Sequence, residues 1–216
     1  LPAQYAGRVT FAPAEGAGLL CALAAPSHFG TEVARYPEQR RQLAEYVARF
    51  PDRQWSILDL GCGTGQGTWE TAHLFPRGAV TGVTLEPLEA WITRIRALPH
   101  RPDTTAVFPQ PAPGVGVSFL AGNLTCLPVK VKADVILVNG IVGGPDLHTD
   151  WSFKHVLAEL RRVAAGASLV TLANNFHAGH YAAIERFARL AEAGGWRVEG
   201  HPRLLWLRTV YGDDQS

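Results

Sequence analysis

"ILDLGCGTGQGT", residues 57–68, is the stretch on which the fold turns. An apolar run carrying an acid, Asp59, enters glycines at every second position: Gly61, Gly63, Gly65 and Gly67. Main chain without side chains bends sharply, adopts positive φ at little cost and lets a ligand lie against it. The run before the glycines has the length of a buried strand, and a helix is expected from about Gly65 to Phe75. Such a helix points free N–H groups toward a ligand, and a strand–turn–helix unit of this kind binds at the carboxyl ends of parallel strands. Two nucleotide signatures fail here. G-x-G-x-x-G/A would need glycine or alanine where Gln66 or Thr68 stands, and a phosphate loop would need a lysine close by.

Outward from this turn the chain alternates. "WSILDL" is strand one, "AVTGVTL" strand two, "GVSFLAG" strand three, "ADVILVNG" strand four and "ASLVTLANN" strand five. Leu88, Trp91, Ile92, Ile95 and Leu98 mark a helix after strand two, and Trp151, Phe153, Val156, Leu157, Leu160 and Val163 one after strand four. Ile184, Phe187, Ala188 and Ala191 mark a helix after strand five, and "GWRVEG" and "RLLWLRTVY" close the chain with no helix between them. Strands alternating with amphipathic helices predict a parallel sheet covered on both faces, and the final pair predicts an antiparallel edge. Ahead of strand one, Tyr36, Leu43, Tyr46, Val47 and Phe50 recur at helical spacing from Thr31 until Pro51 and Asp52 stop them. The first thirty residues read as an irregular arm with one short helix near Gly18–Ala24, and residues 99–115 as a long loop. Two parts are expected: an arm and cap helix over 1–54, and the main domain over 55–216.

The chain has 216 residues, 47% hydrophobic and 18% charged, enough apolar material for one sizeable core. A formal charge of +1 gives no field to draw nucleic acid or an anionic membrane. Three scattered cysteines, Cys21, Cys62 and Cys126, make neither a disulfide scaffold nor a zinc cage and fit a reducing, cytoplasmic setting. "GAGLLCALAAP" is roughly half a membrane span and has no basic leader, so it does not read as a signal peptide. The chain starts at Leu1 and holds no methionine, so further residues upstream are expected.

Asp59, Gly61, Gly63 and Gly65 satisfy acid-x-G-x-G-x-G, and "LDLGCGTG" resembles the first motif of class I S-adenosylmethionine-dependent methyltransferases. The resemblance runs over roughly residues 55–211. It implies a doubly wound, mostly parallel seven-stranded sheet, Rossmann-like, with the last strand antiparallel. It implies S-adenosyl-L-methionine as cofactor, its methionine part held by Gly61, Cys62, Gly63 and Gly65, with Asp59 near the amino group. A carboxylate suits a ligand that carries ammonium and sulfonium charge. The family's ribose acid falls two residues beyond the usual place: Thr84 stands there, followed by Leu85 and then Glu86, with Glu89 as a second choice. "GVTLEPLEA" is similar there to the cyclopropane fatty-acid synthase branch. "AGNLTCLP" places Asn123 where the family has an acid facing adenine, with Leu124 to pack on the ring.

Methyl transfer from a sulfonium is an in-line displacement in which the protein mainly aligns and desolvates the nucleophile. A base is needed only where the nucleophile must lose a proton. Candidates after strand four are Asn139, Asp146 and His148, with His148 as the base and Asn139 also beside the cofactor. After strand five they are Asn174, Asn175, His177 and His180; His177 and His180 lack a third ligand, and no metal is expected. "HFGTEVARYPEQRRQLAEYV", "VSFLAGNL" and "VLAELRR" resemble the chemotaxis-receptor glutamate methyltransferase group, which implies a protein carboxylate as acceptor. That group's motif after strand four reads "VNGIVGG" here, so a small molecule with an O or N nucleophile is the first expectation. A ligand sensor without turnover, a nicotinamide oxidoreductase and a homodimer stay open.

Overall fold

The computed structural model describes residues 35–63, 65–85, 114–144, 147–174 and 180–209. The arm with its short helix, the helix after strand two, loop 99–113, Glu86, Glu89, Asp146, Asn175 and His177 lie outside these residues.

The strands are β1 (Trp55–Leu60), β2 (Gly78–Thr84), β3 (Val115–Ala121), β4 (Ala133–Val138), β5 (Ala164–Ala173), β6 (Trp196–His201) and β7 (Leu204–Thr209). They form one seven-stranded sheet in the order β3-β2-β1-β4-β5-β7-β6. β1 to β5 pair in parallel, while β7 runs antiparallel to both β5 and β6. The order reverses between β1 and β4, both beginning apolar runs that bury every residue but one. Strands covered on both faces must read this way, because neither side meets water. The final hairpin forms the sheet edge as its spacing predicts, with the antiparallel strand one place inside the edge.

The helices are α1 (Pro37–Ala48), α2 (Gln66–Ala72), α3 (Asp150–Val163) and α4 (Tyr181–Ala193). α1 begins at Pro37, which lacks the N–H that an earlier turn would use and suits a first helical position. Thr149 and Ser152 cap α3 reciprocally, each backbone N–H meeting the other's hydroxyl at 3.2 Å. α1 and α2 cover one face, where Leu43, Val47, Ala72 and Phe75 meet Ile57, Val80, Val135 and Leu137. α3 and α4 cover the other through Phe153, Val156, Leu160, Ile184 and Phe187. Phe153 and Phe187 meet edge-to-face there at 5.3 Å. The two covered faces leave the carboxyl ends of β1, β4 and β5 as the place where main chain turns away from the sheet.

Candidate functional site

The glycine turn stands at that place. Gly61, Gly63 and Gly65 all have positive φ, at 78°, 52° and 84°. Gly61 and Cys62 both donate to the Val83 carbonyl, at 2.7 and 3.0 Å, which ties the turn to the end of β2. A Cβ on Gly61 would stand 2.7 Å from the Ile141 side chain, whereas one on Gly63 would meet none of the described residues within 4 Å. The bend is thus packed below Gly61 and open above Gly63. Gly67 does not belong to the turn as its spacing suggested. Gly65 in the left-handed conformation starts α2, and Gly67 lies within that helix.

Asp59 is the charged side chain buried at the turn, 4% exposed. Thr68, on α2, donates to its Oδ2 at 2.5 Å. Burial pushes the carboxyl up to about 6, and the Thr68 hydroxyl pulls the other way. Among the described residues no basic side chain pairs with it. Cys62 turns its thiol inward against Trp69 and Phe119, so the residue offers a ligand its main chain only. Gly82 lets this happen: a Cβ there would lie 2.7 Å from Phe119 and 2.9 Å from the Cys62 sulfur.

Thr84 ends β2, buried, and its carbonyl accepts from Gly122 N–H at 2.8 Å; Leu85 follows, 52% exposed. The ends of β2 and β3 therefore lie side by side, with Asn123 just beyond. Asn123 Oδ1 accepts from the Thr125 N–H at 2.9 Å and its hydroxyl at 2.8 Å. The amide oxygen thus holds its own turn, and the Nδ2 hydrogens are what it can present to a ligand. Leu124 is half-buried against the core.

At the end of β4, Asn139 is tied on three sides. Its Oδ1 accepts from Gln39 Nε2 at 2.8 Å and from Ala173 N–H at 2.9 Å, and its Nδ2 donates to Gln39 Oε1 at 2.9 Å. Gln39 Nε2 also donates to the buried Thr171 hydroxyl at 3.0 Å. Gln39, on α1, is 2% exposed and joins the site although its sequence neighbours, Glu38 and Arg40, mark a solvated helix face. Arg40 pairs with Glu70 on α2, which also accepts from Gln66, so both covering helices are tied at this end. The hydroxyl of Tyr36 sits where a Cβ on Gly140 would go.

His148 is exposed ahead of α3, and its carbonyl accepts from Arg186 of α4. Asn174 follows β5 and is 3% exposed. Its N–H donates to the Arg203 carbonyl at 2.9 Å and its Nδ2 to the Pro202 carbonyl at 3.4 Å, while its buried Oδ1 has no hydrogen-bond partner among the described residues. His180 is the residue before α4, and its carbonyl lies against Gly143. Among the described residues no three His, Cys, Asp or Glu side chains gather as a metal ion would require. No helix among them is long and apolar enough to cross a membrane.

No protein-family model and no curated protein matches the chain. Solved structures do match it. One is an S-adenosylmethionine-dependent methyltransferase from Aquifex aeolicus, 14% identical, with a TM-score of 0.58 over 92% of this chain and 98% of that one. The N-methyltransferase NodS from Bradyrhizobium japonicum, in complex with S-adenosyl-l-homocysteine, is 12% identical, with a TM-score of 0.58 over 90% and 99%. A TehB-like methyltransferase from Corynebacterium glutamicum is 18% identical, with a TM-score of 0.55 over 91% and 97%. The chain therefore has the Rossmann-like fold of class I S-adenosylmethionine-dependent methyltransferases. At these identities the likeness concerns the fold, and chemistry has to be argued from the site.

Proposed function

We propose that this chain is an S-adenosylmethionine-dependent methyltransferase acting on an O or N nucleophile of a small molecule. The observation that carries the reading is a bare, positive-φ glycine bend, open above Gly63, beside a buried Asp59 with no basic partner among the described residues. Such a site is short of one positive charge, and the amino end of an aminoacyl nucleoside supplies it. The same site is poor for phosphates, which would meet the carboxylate instead of a lysine. NodS, of the same fold, is an N-methyltransferase in complex with S-adenosyl-l-homocysteine, and this supports the choice of ligand.

Under this reading the main chain of Gly61, Cys62, Gly63 and Gly65 and the carboxylate of Asp59 hold the methionine part. Thr84, Leu85 and Glu86 bound the ribose, and Asn123 Nδ2 and Leu124 meet the adenine. The bound cofactor supplies a methyl group made electrophilic by its sulfonium. The acceptor lies over the ends of β4 and β5. There the buried Asn174 Oδ1 takes an N–H or O–H from it, since leaving that oxygen unmade costs about 1–3 kcal/mol. Asn139 holds the near side of this region, and His148 takes the proton from a nucleophile that must lose one. Among the described residues Cys62 and Cys126 form no disulfide, which suits a reducing compartment such as the cytoplasm.

Calorimetric titration with S-adenosylhomocysteine tests the ligand, and release of S-adenosylhomocysteine across a panel of amines and alcohols tests turnover. Saturable binding without turnover on any acceptor points to a sensor. A melting temperature raised by reduced nicotinamide and unmoved by S-adenosylhomocysteine overturns the reading altogether.

A further inference from the structure

Gln39 is a glutamine on a helix otherwise edged with charge, yet it is buried and makes three side-chain hydrogen bonds. Both hydrogens of its Nε2 are used, one on Asn139 Oδ1 and one on Thr171 Oγ1. Its Oε1 takes one hydrogen of Asn139 Nδ2. The orientation of the Asn139 amide follows from the main chain: the Ala173 N–H can meet only the oxygen, so Oδ1 faces β5 and Nδ2 faces Gln39. One Nδ2 hydrogen of Asn139 then remains, with no acceptor among the described residues.

Asn139 itself stands at the start of the glycine bend. Val138 pairs in register with Leu60, so Asn139 lies abreast of Gly61, where the glycine bend begins. Two residues on, Ile141 covers the spot that a Cβ on Gly61 would take. A donor with its oxygen locked on β5 and one hydrogen locked on α1 has no rotational choice left. We propose that Gln39 is a positioning residue: it fixes the remaining Asn139 N–H over the glycine bend and thereby couples the docking of α1 to cofactor binding. The proposal rests on the methyltransferase reading of the bend, and adds that the helix ahead of β1 is part of the ligand site. A purely structural tie would stabilise α1 whether or not the bend is filled. A positioning tie makes α1 and the ligand hold one another in place, and this reciprocity is measurable.

The test uses the whole chain, S-adenosylhomocysteine as probe and two variants. Gln39→Met keeps length and volume but removes every hydrogen bond, and Gln39→Glu keeps an acceptor for Asn139 Nδ2. In wild type the nucleoside is expected to shift the side-chain amide resonance of Asn139, identified by its loss in Asn139→Asp, and to slow hydrogen exchange in α1. In Gln39→Met the dissociation constant rises about tenfold, as for one lost hydrogen bond of ordinary strength. The Asn139 resonance then no longer responds, and Gln39→Glu falls between the two. Wild-type affinity in both variants, with only their melting temperatures lowered, overturns the positioning role and leaves the methyltransferase reading standing. Should one variant fail to fold, the other decides alone. Should both fail, an Asn139 resonance unmoved by saturating S-adenosylhomocysteine in wild type overturns the role. A wild-type chain that binds no S-adenosylhomocysteine overturns both readings at once.

Discussion

Asp59 joins stability, pH and ligand affinity in one side chain. Burial raises its carboxyl from 3.8 to about 6 despite the Thr68 hydroxyl. Keeping it ionised without a cationic partner at neutral pH therefore costs about 3 kcal/mol, at about 1.4 kcal/mol for each pKa unit. The folded-state value lies above the unfolded one, so the folded chain binds this proton more tightly. Its contribution to stability is fully present below pH 3.8 and is lost as pH rises through about 6. Other carboxyls act in the opposite sense, such as Glu159, which Arg162 holds low. The informative quantity is therefore the difference between wild type and Asp59→Asn, which still accepts from Thr68 and never ionises. Urea unfolding should show the variant more stable by up to about 3 kcal/mol near pH 7.5, with the advantage fading toward about pH 4. Ligand affinity should run the other way. A bound ammonium favours the ionised carboxyl, so wild-type affinity for S-adenosylhomocysteine rises up to about tenfold per pH unit below 6 and levels off above. The variant should bind weakly at every pH. A variant that is no more stable than wild type near neutrality, or that binds with wild-type strength, refutes this account of Asp59.

Gly63→Ala places a Cβ where no described residue lies within 4 Å, at φ +52°, so the fold should survive at a cost of about 1–2 kcal/mol. Affinity for S-adenosylhomocysteine by calorimetry should nevertheless fall at least about tenfold, because the methyl enters the cradle; unchanged affinity would place the ligand elsewhere. Gly78→Ala is the contrast, since its Cβ would stand 2.1 Å from the Trp55 carbonyl oxygen at φ +134°. It should lower stability by about 3 kcal/mol or more, and an unaltered thermal melt would contradict the backbone geometry at β2. His148→Ala keeps the carbonyl that holds Arg186, so folding and cofactor affinity should not change. Turnover should drop about 10²–10⁴-fold if the imidazole is the base, and an unchanged rate would make it surface.

What the sequence made legible follows from local physics. The apolar runs of β1 and β4 can only be buried strands, the glycines after Asp59 can only be a bend, and two closing strands without a helix can only pair as a hairpin. Gly67 was placed wrongly because a spacing of two merges the turn with the first residues of α2, and only the left-handed φ of Gly65 separates them. Gln39 could not be found. A polar residue between Glu38 and Arg40 reads as solvated until the amide that buries it, a hundred residues on, is known. Asn123 is expected to face adenine, and the fold spends its oxygen on the turn at Thr125, which leaves only Nδ2 for a ligand. Asn174 was one polar residue among several after β5; burial and an unmet Oδ1 set it apart.

The strand order carries a consequence for how the chain comes together. β7 follows the other six strands in the chain, yet among the described residues β6 pairs with the sheet only through it. Until Leu204–Thr209 have been made, β5 has a bare flank and the segment from Trp196 to His201 has no strand to pair with. A chain stalled before that point would expose an open strand edge along β5, the kind that recruits neighbouring chains.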